Sequence, residues 1–247
     1  MRTEFVPDPS ATREEMEAQQ RAVAQAAIFD DDFDFDVELV GTNVGPLVAG
    51  VDQAFLGDDR AVSAVVVTRG ETVVERAHAV TPLSIPYIPG LLSFREGGPI
   101  LAAFEELQTD PDCVLFDGSG RIHFRQAGLA THLGVILDLP SVGVAKNLLC
   151  GTPVDSTADL PAGTRVGIDA DGRVDAPAGT RIGYAVQTKQ YDSSNRHVNP
   201  LYVSPGHRVG AETAADLVEA TCAGYKLPEP TRLADAYADE VKRTIDT

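Results

Sequence analysis

Tryptophan is absent from the 247 residues, methionine occurs twice, and lysine only four times, at Lys146, Lys189, Lys226 and Lys242. No apolar run approaches the roughly 20 residues that a membrane-crossing helix needs. The opening stretch MRTEFVPDPSATREE lacks the charged-then-apolar layout of a secretory signal. A soluble cytoplasmic protein with no membrane partner is expected. Cysteine is scarce as well: Cys113, Cys150 and Cys222 are odd in number, far apart and never in a C-x-x-C pair. That spacing excludes a disulfide framework and argues against a zinc site, leaving three small core residues in a reducing compartment.

The shortage of lysine is part of a larger deficit, 20 basic against 37 acidic residues, for a net charge of −17. Such a surface ordinarily argues against nucleic acid, because phosphate contacts need Lys and Arg. Adaptation to molar salt explains the same composition, since the Debye length there is only ~3 Å and surface repulsion is nearly silenced. The charge is therefore read as a halophilic trait of the solvent, and it leaves the partner open.

What is present is enough for one large α/β domain with a proper core. Residues 10–29 carry a helix pattern with Thr12 and Glu15 as a capping box, and the acidic run DDDFDFDVE at 30–38 reads as a solvated linker. Three strand-like stretches follow at 47–55, 61–69 and 71–80, with turn signals between them, so an antiparallel meander is expected. Beyond a proline-rich connection, a helix at 93–108, a strand at 113–117, a helix at 125–137 and a strand at 140–145 suggest parallel crossovers. That order fits an RNase H-like mixed β-sheet flanked by helices, although other α/β folds share parts of it. Residues 151–199 are less orderly: PAGTR at 161–165 recurs at 177–181, and the stretch reads as a variable hairpin closed by a DADG turn. Strands at 181–189 and 200–205, a helix at 211–224 and a last helix from Thr231 complete a single domain, with residues 1–46 as its N-terminal helix and linker.

Asp52 sits inside the apolar strand VAGVDQAF, where a carboxylate is costly unless it is paired or functional. Asp117 ends another strand in VLFDG, where a D-G turn is the plainer reading. If the two strands are neighbours, the carboxylates face each other and suit Mg²⁺, which takes few protein oxygens and keeps waters. Glu96 either closes a capping box with Ser93 or reaches the same site. His207, His123 and Lys146 lie at predicted strand exits, where the active sites of open α/β sheets collect. In IPYIPG, Pro86 and Pro89 stiffen a loop that presents Tyr87 and Ile88, either packed on the core or as a wedge between stacked bases.

The motifs VAGVDQAF, PYIPGLLSFRE, FDGSGRIHFRQAGLATHLG, PSVGVAKNLLCG, VSPGHRV and YKLPEPTRLAD, in this order, resemble endonuclease V, the deoxyinosine 3′ endonuclease family of DNA repair. The resemblance runs from about residue 17 to the final helix. It implies an RNase H-like fold and Mg²⁺-dependent hydrolysis, with Mn²⁺ as a substitute, of the second phosphodiester 3′ to deoxyinosine. By the same resemblance Asp52 and Asp117 are metal ligands, Glu96 is a third catalytic acid, and His207 completes the centre. Lys146 falls near the scissile phosphates, Pro86, Tyr87, Ile88 and Pro89 form the strand-separating wedge, and Gly118, Gly120 and His123 lie near a flipped-base pocket. Phe124 departs from the proline common in the family, and residues 151–199 are longer than in compact members. A positive groove of Arg95, Arg121, Arg125 and Lys146 is expected against an acidic background, with a weak salt dependence of DNA binding. The partner is DNA containing deaminated bases, and a monomer is expected. Two other readings stay open: an endoribonuclease acting at inosine in RNA, separable by its 2′-OH recognition, and a catalytically silent nucleic-acid-binding module.

Overall fold

The computed structural model describes residues 1–191 and 197–245. Among these residues nine strands form one mixed sheet: β1 (Val48–Leu56), β2 (Arg60–Arg69), β3 (Thr72–Pro82), β4 (Cys113–Asp117), β5 (Ser141–Ala145), β6 (Thr152–Pro153), β7 (Arg165–Asp169), β8 (Arg181–Val186) and β9 (Leu201–His207). Their spatial order is β3-β2-β1-β4-β5-β9-β8-β7-β6. The meander β1–β3 is antiparallel, β1, β4 and β5 run parallel, and β9 turns back antiparallel to β5. Among the described residues there are five α-helices, α1 (Arg13–Ala26), α2 (Leu92–Glu105), α3 (Leu129–Leu137), α4 (Ala211–Ala220) and α5 (Glu229–Ile245); α2 to α5 lie on the sheet, and α1 packs on α3.

Period-two alternation assigns the two faces. Ala49 and Val51 of β1, with Val114 and Phe116 of β4, pack beneath α2 and α3. Val48, Cys113, Leu115, Val142 and Val144 point the other way, beneath α4. Gly50 is on this second face, where an added Cβ would lie 2.0 Å from the Pro230 carbonyl carbon, so the start of α5 rests on bare backbone. Farther along, Ala54, Leu56, Val62 and Ala64 meet Ala238 and Val241 of α5. The chain's carboxylates on β1 and β4 are placed by this alternation.

The Thr12–Glu15 capping box forms as expected. The acidic run does not behave as a solvated linker. Phe33 and Phe35 stack at 4.2 Å and pack on the core beneath α4, while Asp31 accepts from Gly210 N–H at 2.7 Å and Thr213 Oγ1 at 2.6 Å. A carboxylate at that helix start is favoured by the exposed amides there. Helix α3 begins four residues later than expected, because residues 121–128 are turns, with Gln126 at φ 53°. Helix α4 ends at Ala220, where Thr221 Oγ1 donates to the Leu217 and Val218 carbonyls at 2.8 and 3.1 Å.

Residues 151–191 add strands β6–β8 to the sheet over a small core of Cys150, Val166, Ile168 and Ile182. The repeated PAGTR is two copies of one turn. Thr164 and Thr180 N–H donate to Pro161 and Pro177 carbonyls at 3.2 and 3.1 Å, with Gly163 and Gly179 at φ 82° and 83°. Each turn opens a strand, β7 and β8, which pair as the expected hairpin. Residues 192–196 of that variable region lie outside the described residues. No described helix is long and apolar enough to cross a membrane.

Candidate active site

The parallel ladder between β1 and β4 ends at Val51 opposite Phe116. Asp52 and Asp117 are therefore the next residues on each strand, level with one another and on the face turned toward α5. They line one cavity of about 200 Å³ with Gln53, Phe55, Leu92, Glu96, Ile100 and Leu129. Burial and then the Asp117 carboxylate push the Asp52 carboxyl up to about 8. Glu96 enters from α2, and burial raises it to about 7. It is not a helix cap: the helix has Leu91 at its cap position without a side-chain bond, and Ser93 Oγ instead meets His132 Nδ1 at 2.9 Å.

Lys146, one residue past β5, donates to Asp117 Oδ2 at 2.6 Å. Burial pulls its ammonium down, but that hydrogen bond and the charges of Asp117 and Asp52 outweigh it and hold it above its usual value. A group that sequence reasoning missed stands opposite. Asp235 of α5 lies close enough for its charge to act on both Asp52 and Lys146. One acid in a helix of an acid-rich chain carries no sequence signal, although the motif YKLPEPTRLAD contains it.

His207 is not brought to this centre. It pairs with Ser141 at the start of β5, whereas Asp117 is level with Val144 near that strand's end, so His207 lies at the opposite end of the sheet. Its side chain is 1% exposed; Nδ1 accepts from Ile28 N–H at 3.1 Å and Nε2 donates to Asp138 Oδ1 at 3.3 Å. With Arg208, which reaches Asp32 at 3.0 Å and Asp138 at 3.0 Å, it fastens the acidic N-terminal strap.

The loop between β3 and α2 leaves Tyr87 66% exposed, with Pro86 and Pro89 also exposed. Ile88 turns inward against Ile85, Leu91 and Phe94, so Tyr87 is the projecting aromatic and Ile88 its anchor. The loop's far end is latched: Gly90 carbonyl accepts from Gln20 Nε2 at 3.0 Å and His123 Nε2 at 3.1 Å. His123 Nδ1 in turn accepts from Arg125 N–H at 3.2 Å, and burial lowers the imidazole to about 4, so the ring is neutral. Tyr87, Gly90, Ser119, His123, Gly128 and Leu149 line a cavity of about 100 Å³ there. Gly118 and Gly120 are not among its lining residues. Gly120 is required by packing, since a Cβ would meet the Pro205 carbonyl oxygen at 2.3 Å.

The expected arginine groove is largely spent inside the fold. Arg95 donates to the Ile85 and Asp58 carbonyls at 2.8 and 3.2 Å, Arg125 pairs with Glu17 at 2.7 Å, and Arg121 lies 4.4 Å from the Phe29 ring centre. Of the four, Lys146 alone pairs with a carboxylate of the site, and Arg95 reaches Glu96 only through its charge.

Among the described residues no three His, Cys, Asp or Glu side chains converge as a closed metal cage. Two facing carboxylates do fit a hard cation that keeps most of its waters. Gln53 Oε1 supports that fit: it lies in a lining residue of the carboxylate cavity, buried and without a hydrogen-bond partner. Its oxygen suits a cation's water.

An RNase H-like sheet with acids gathered where its parallel strands end defines a nuclease class. Residues 35–236 match the Endonuclease V family model. The chain is 61% identical to an endonuclease V of Haloarcula marismortui, covering 100% of this chain and 98% of that one. A Streptomyces avermitilis endonuclease V structure superposes with a TM-score of 0.80 at 35% identity, covering 96% of each chain. A Ciona intestinalis endonuclease V, solved with a 24mer DNA containing an inosine followed by a ribo-adenosine, gives 0.76 at 25% identity over 94% of this chain and 98% of that one. The chain belongs to the endonuclease V family.

Proposed function

We propose that this chain is a DNA-repair endonuclease that hydrolyses the second phosphodiester 3′ to deoxyinosine and leaves the lesion on the nicked strand. The observation that carries the reading is the placement of an exposed aromatic on a latched loop beside a cavity, with the carboxylate centre adjoining through Leu92 and Leu129, which line both cavities. Tyr87 would enter the stack at the lesion, and a weakly paired hypoxanthine costs less to extrude than a normal base. The cavity beside His123 would receive it.

Asp52 and Asp117 would hold Mg²⁺, or Mn²⁺ in its place. Such a cation, when bound, supplies a more acidic water and neutralises charge on the phosphate oxygens. Glu96, held near 7 by burial, is suited to take the proton of the attacking water as its oxygen bonds to phosphorus and the bond to the sugar oxygen breaks, that oxygen leaving as a hydroxyl with a proton from solvent. Lys146 would face the phosphate while fixing Asp117. His207 has no part in this scheme. The 61% identical relative comes from a halophile, which supports work in the cytoplasm at high salt as the origin of the −17 charge.

The test is an end-labelled duplex with one deoxyinosine, in Mg²⁺ and high KCl. Controls are EDTA, Asp52→Ala, undamaged duplex and the matched inosine RNA. A single Mg²⁺-dependent nick one nucleotide beyond the lesion, lost in the variant, supports the proposal. Cleavage of the RNA alone would assign the chain to RNA metabolism, and binding without cleavage of either would make it a silent module.

A further inference from the structure

With the arginines of the expected groove engaged elsewhere, the remaining cations are informative. Three of the four lysines gather at one corner although they are far apart in sequence. Lys146 follows β5, Lys189 follows β8, and Lys226 precedes α5. The register places the first two together: Ala145 pairs with Tyr202 and Val186 with Leu201, so both strands end at the same sheet edge, the edge that carries Asp117. Lys226 is brought there by its own backbone, whose carbonyl accepts from Thr188 Oγ1 at 2.6 Å. Burial and then repulsion from the Lys146 ammonium lower the Lys226 ammonium.

Tyr225 orders the corner. Its ring centre lies 4.5 Å from the Arg232 guanidinium and 5.6 Å from Lys189 Nζ, while half the residue stays exposed. Arg232 is held by Glu229, and Lys189 Nζ donates to the Gly224 carbonyl at 2.7 Å. These two cations are fixed by the fold. Lys226 is different: among the described residues no carboxylate pairs with its ammonium, in a chain with 37 acidic residues. Two lysine ammoniums set near one another, with one unpaired, are unfavourable alone and become favourable when an anion bridges them.

We infer that Lys226, with Lys189 and Arg232 ordered around Tyr225, binds the phosphates of the strand being cut as it leaves the carboxylate centre away from the Tyr87 loop. The inference rests on the proposed nuclease reading and extends it. Tyr87 and its cavity take the lesion, the carboxylates take the scissile phosphate, and this corner holds the strand beyond the nick. It also explains how so acidic a protein keeps a nucleic acid in place: the few lysines are spent where the strand passes.

The test is single-turnover nicking across a KCl series with two deoxyinosine duplexes. In one, the cut strand continues about ten nucleotides past the nick, and in the other about two. Lys226→Gln and Tyr225→Ala are compared with wild type, and Lys242→Gln, in the last turn of α5, serves as the lysine control. On the long duplex Lys226→Gln is expected to raise the half-saturating concentration about five- to tenfold and to reduce the salt slope by about one. Tyr225→Ala shifts it the same way, Lys242→Gln does not, and on the short duplex the differences vanish. Wild-type values for both corner variants on the long duplex, or equal losses on both duplexes, would overturn the inference while leaving the nuclease reading intact. A wild-type protein that nicks neither duplex would overturn both.

Discussion

Replacing Asp52 by Asn should make the metal-free protein more stable and inactive. Asp52 and Asp117 face each other at the end of the β1–β4 ladder, and burial followed by that repulsion lifts Asp52 to about 8. An unfolded Asp titrates near ~3.9, and each tenfold in proton affinity is about 1.4 kcal/mol. Keeping Asp52 ionised in the fold at about pH 8 thus has a ceiling near ~5 kcal/mol, and relaxation with water entry brings it to about 2 kcal/mol. The folded value is raised, so this term favours the fold below about pH 4 and is lost as pH rises through about 8. Asn removes the charge and keeps the shape. In EDTA at about pH 8, Asp52→Asn should raise Tm by about 4–8 °C for a chain of this size. The gain should shrink toward about pH 5 and reverse in excess Mg²⁺, which binds only the wild-type carboxylate pair well. The assay is thermal melting in molar KCl, with and without metal, alongside nicking. A variant that melts at or below wild type in EDTA at about pH 8 would refute the reasoning.

Other perturbations test separate parts. Tyr87→Ala should leave Tm unchanged, because the side chain is 66% exposed, yet lower the preference for deoxyinosine over undamaged duplex about tenfold in competition nicking. His123 and His132 are both lowered to about 4 by burial, so the stability they carry is present above about pH 6.5 and lost as pH falls toward 4. Melting of a His132→Gln variant should show about 1–2 kcal/mol less acid sensitivity than wild type over that window. Asp31→Ala removes the acceptor for Gly210 N–H and Thr213 Oγ1 and should cost about 1 kcal/mol in denaturant melts without changing nicking.

Much of the fold was legible because its signals are local. In the meander β1–β3 the first two strands are apolar runs and the third alternates, with turns where Gly57 and Gly70 take positive φ, and β4 and β5 are short apolar runs that each follow a helix. Asp52, Asp117 and Lys146 were legible for the same reason, each interrupting or ending such a run. His207 misled because the end of a strand says nothing about which end of the sheet it occupies. The clue lay in the pairing: among the described residues no helix lies between β8 and β9, and β9 returns antiparallel to β8, which carries His207 away from Asp117. In the acidic run, Phe33 and Phe35 two residues apart were the sign of a docked strap, overshadowed by the charge around them. Asp235 depends on how α5 lies along β1, a tertiary fact that no local pattern encodes.

The placement of chemistry at the strand ends that carry Asp52 and Asp117 is tested by comparing Glu96→Gln with His207→Gln in single-turnover nicking of a deoxyinosine duplex. Glu96→Gln should lower the rate at least about a hundredfold, as loss of a proton acceptor does. His207→Gln should stay within a few-fold of wild type once its lower Tm is allowed for, because the imidazole fastens the N-terminal strap and does not face the substrate. A Glu96→Gln enzyme that nicks at the wild-type rate, or a folded His207→Gln enzyme that has lost nicking, would contradict the site.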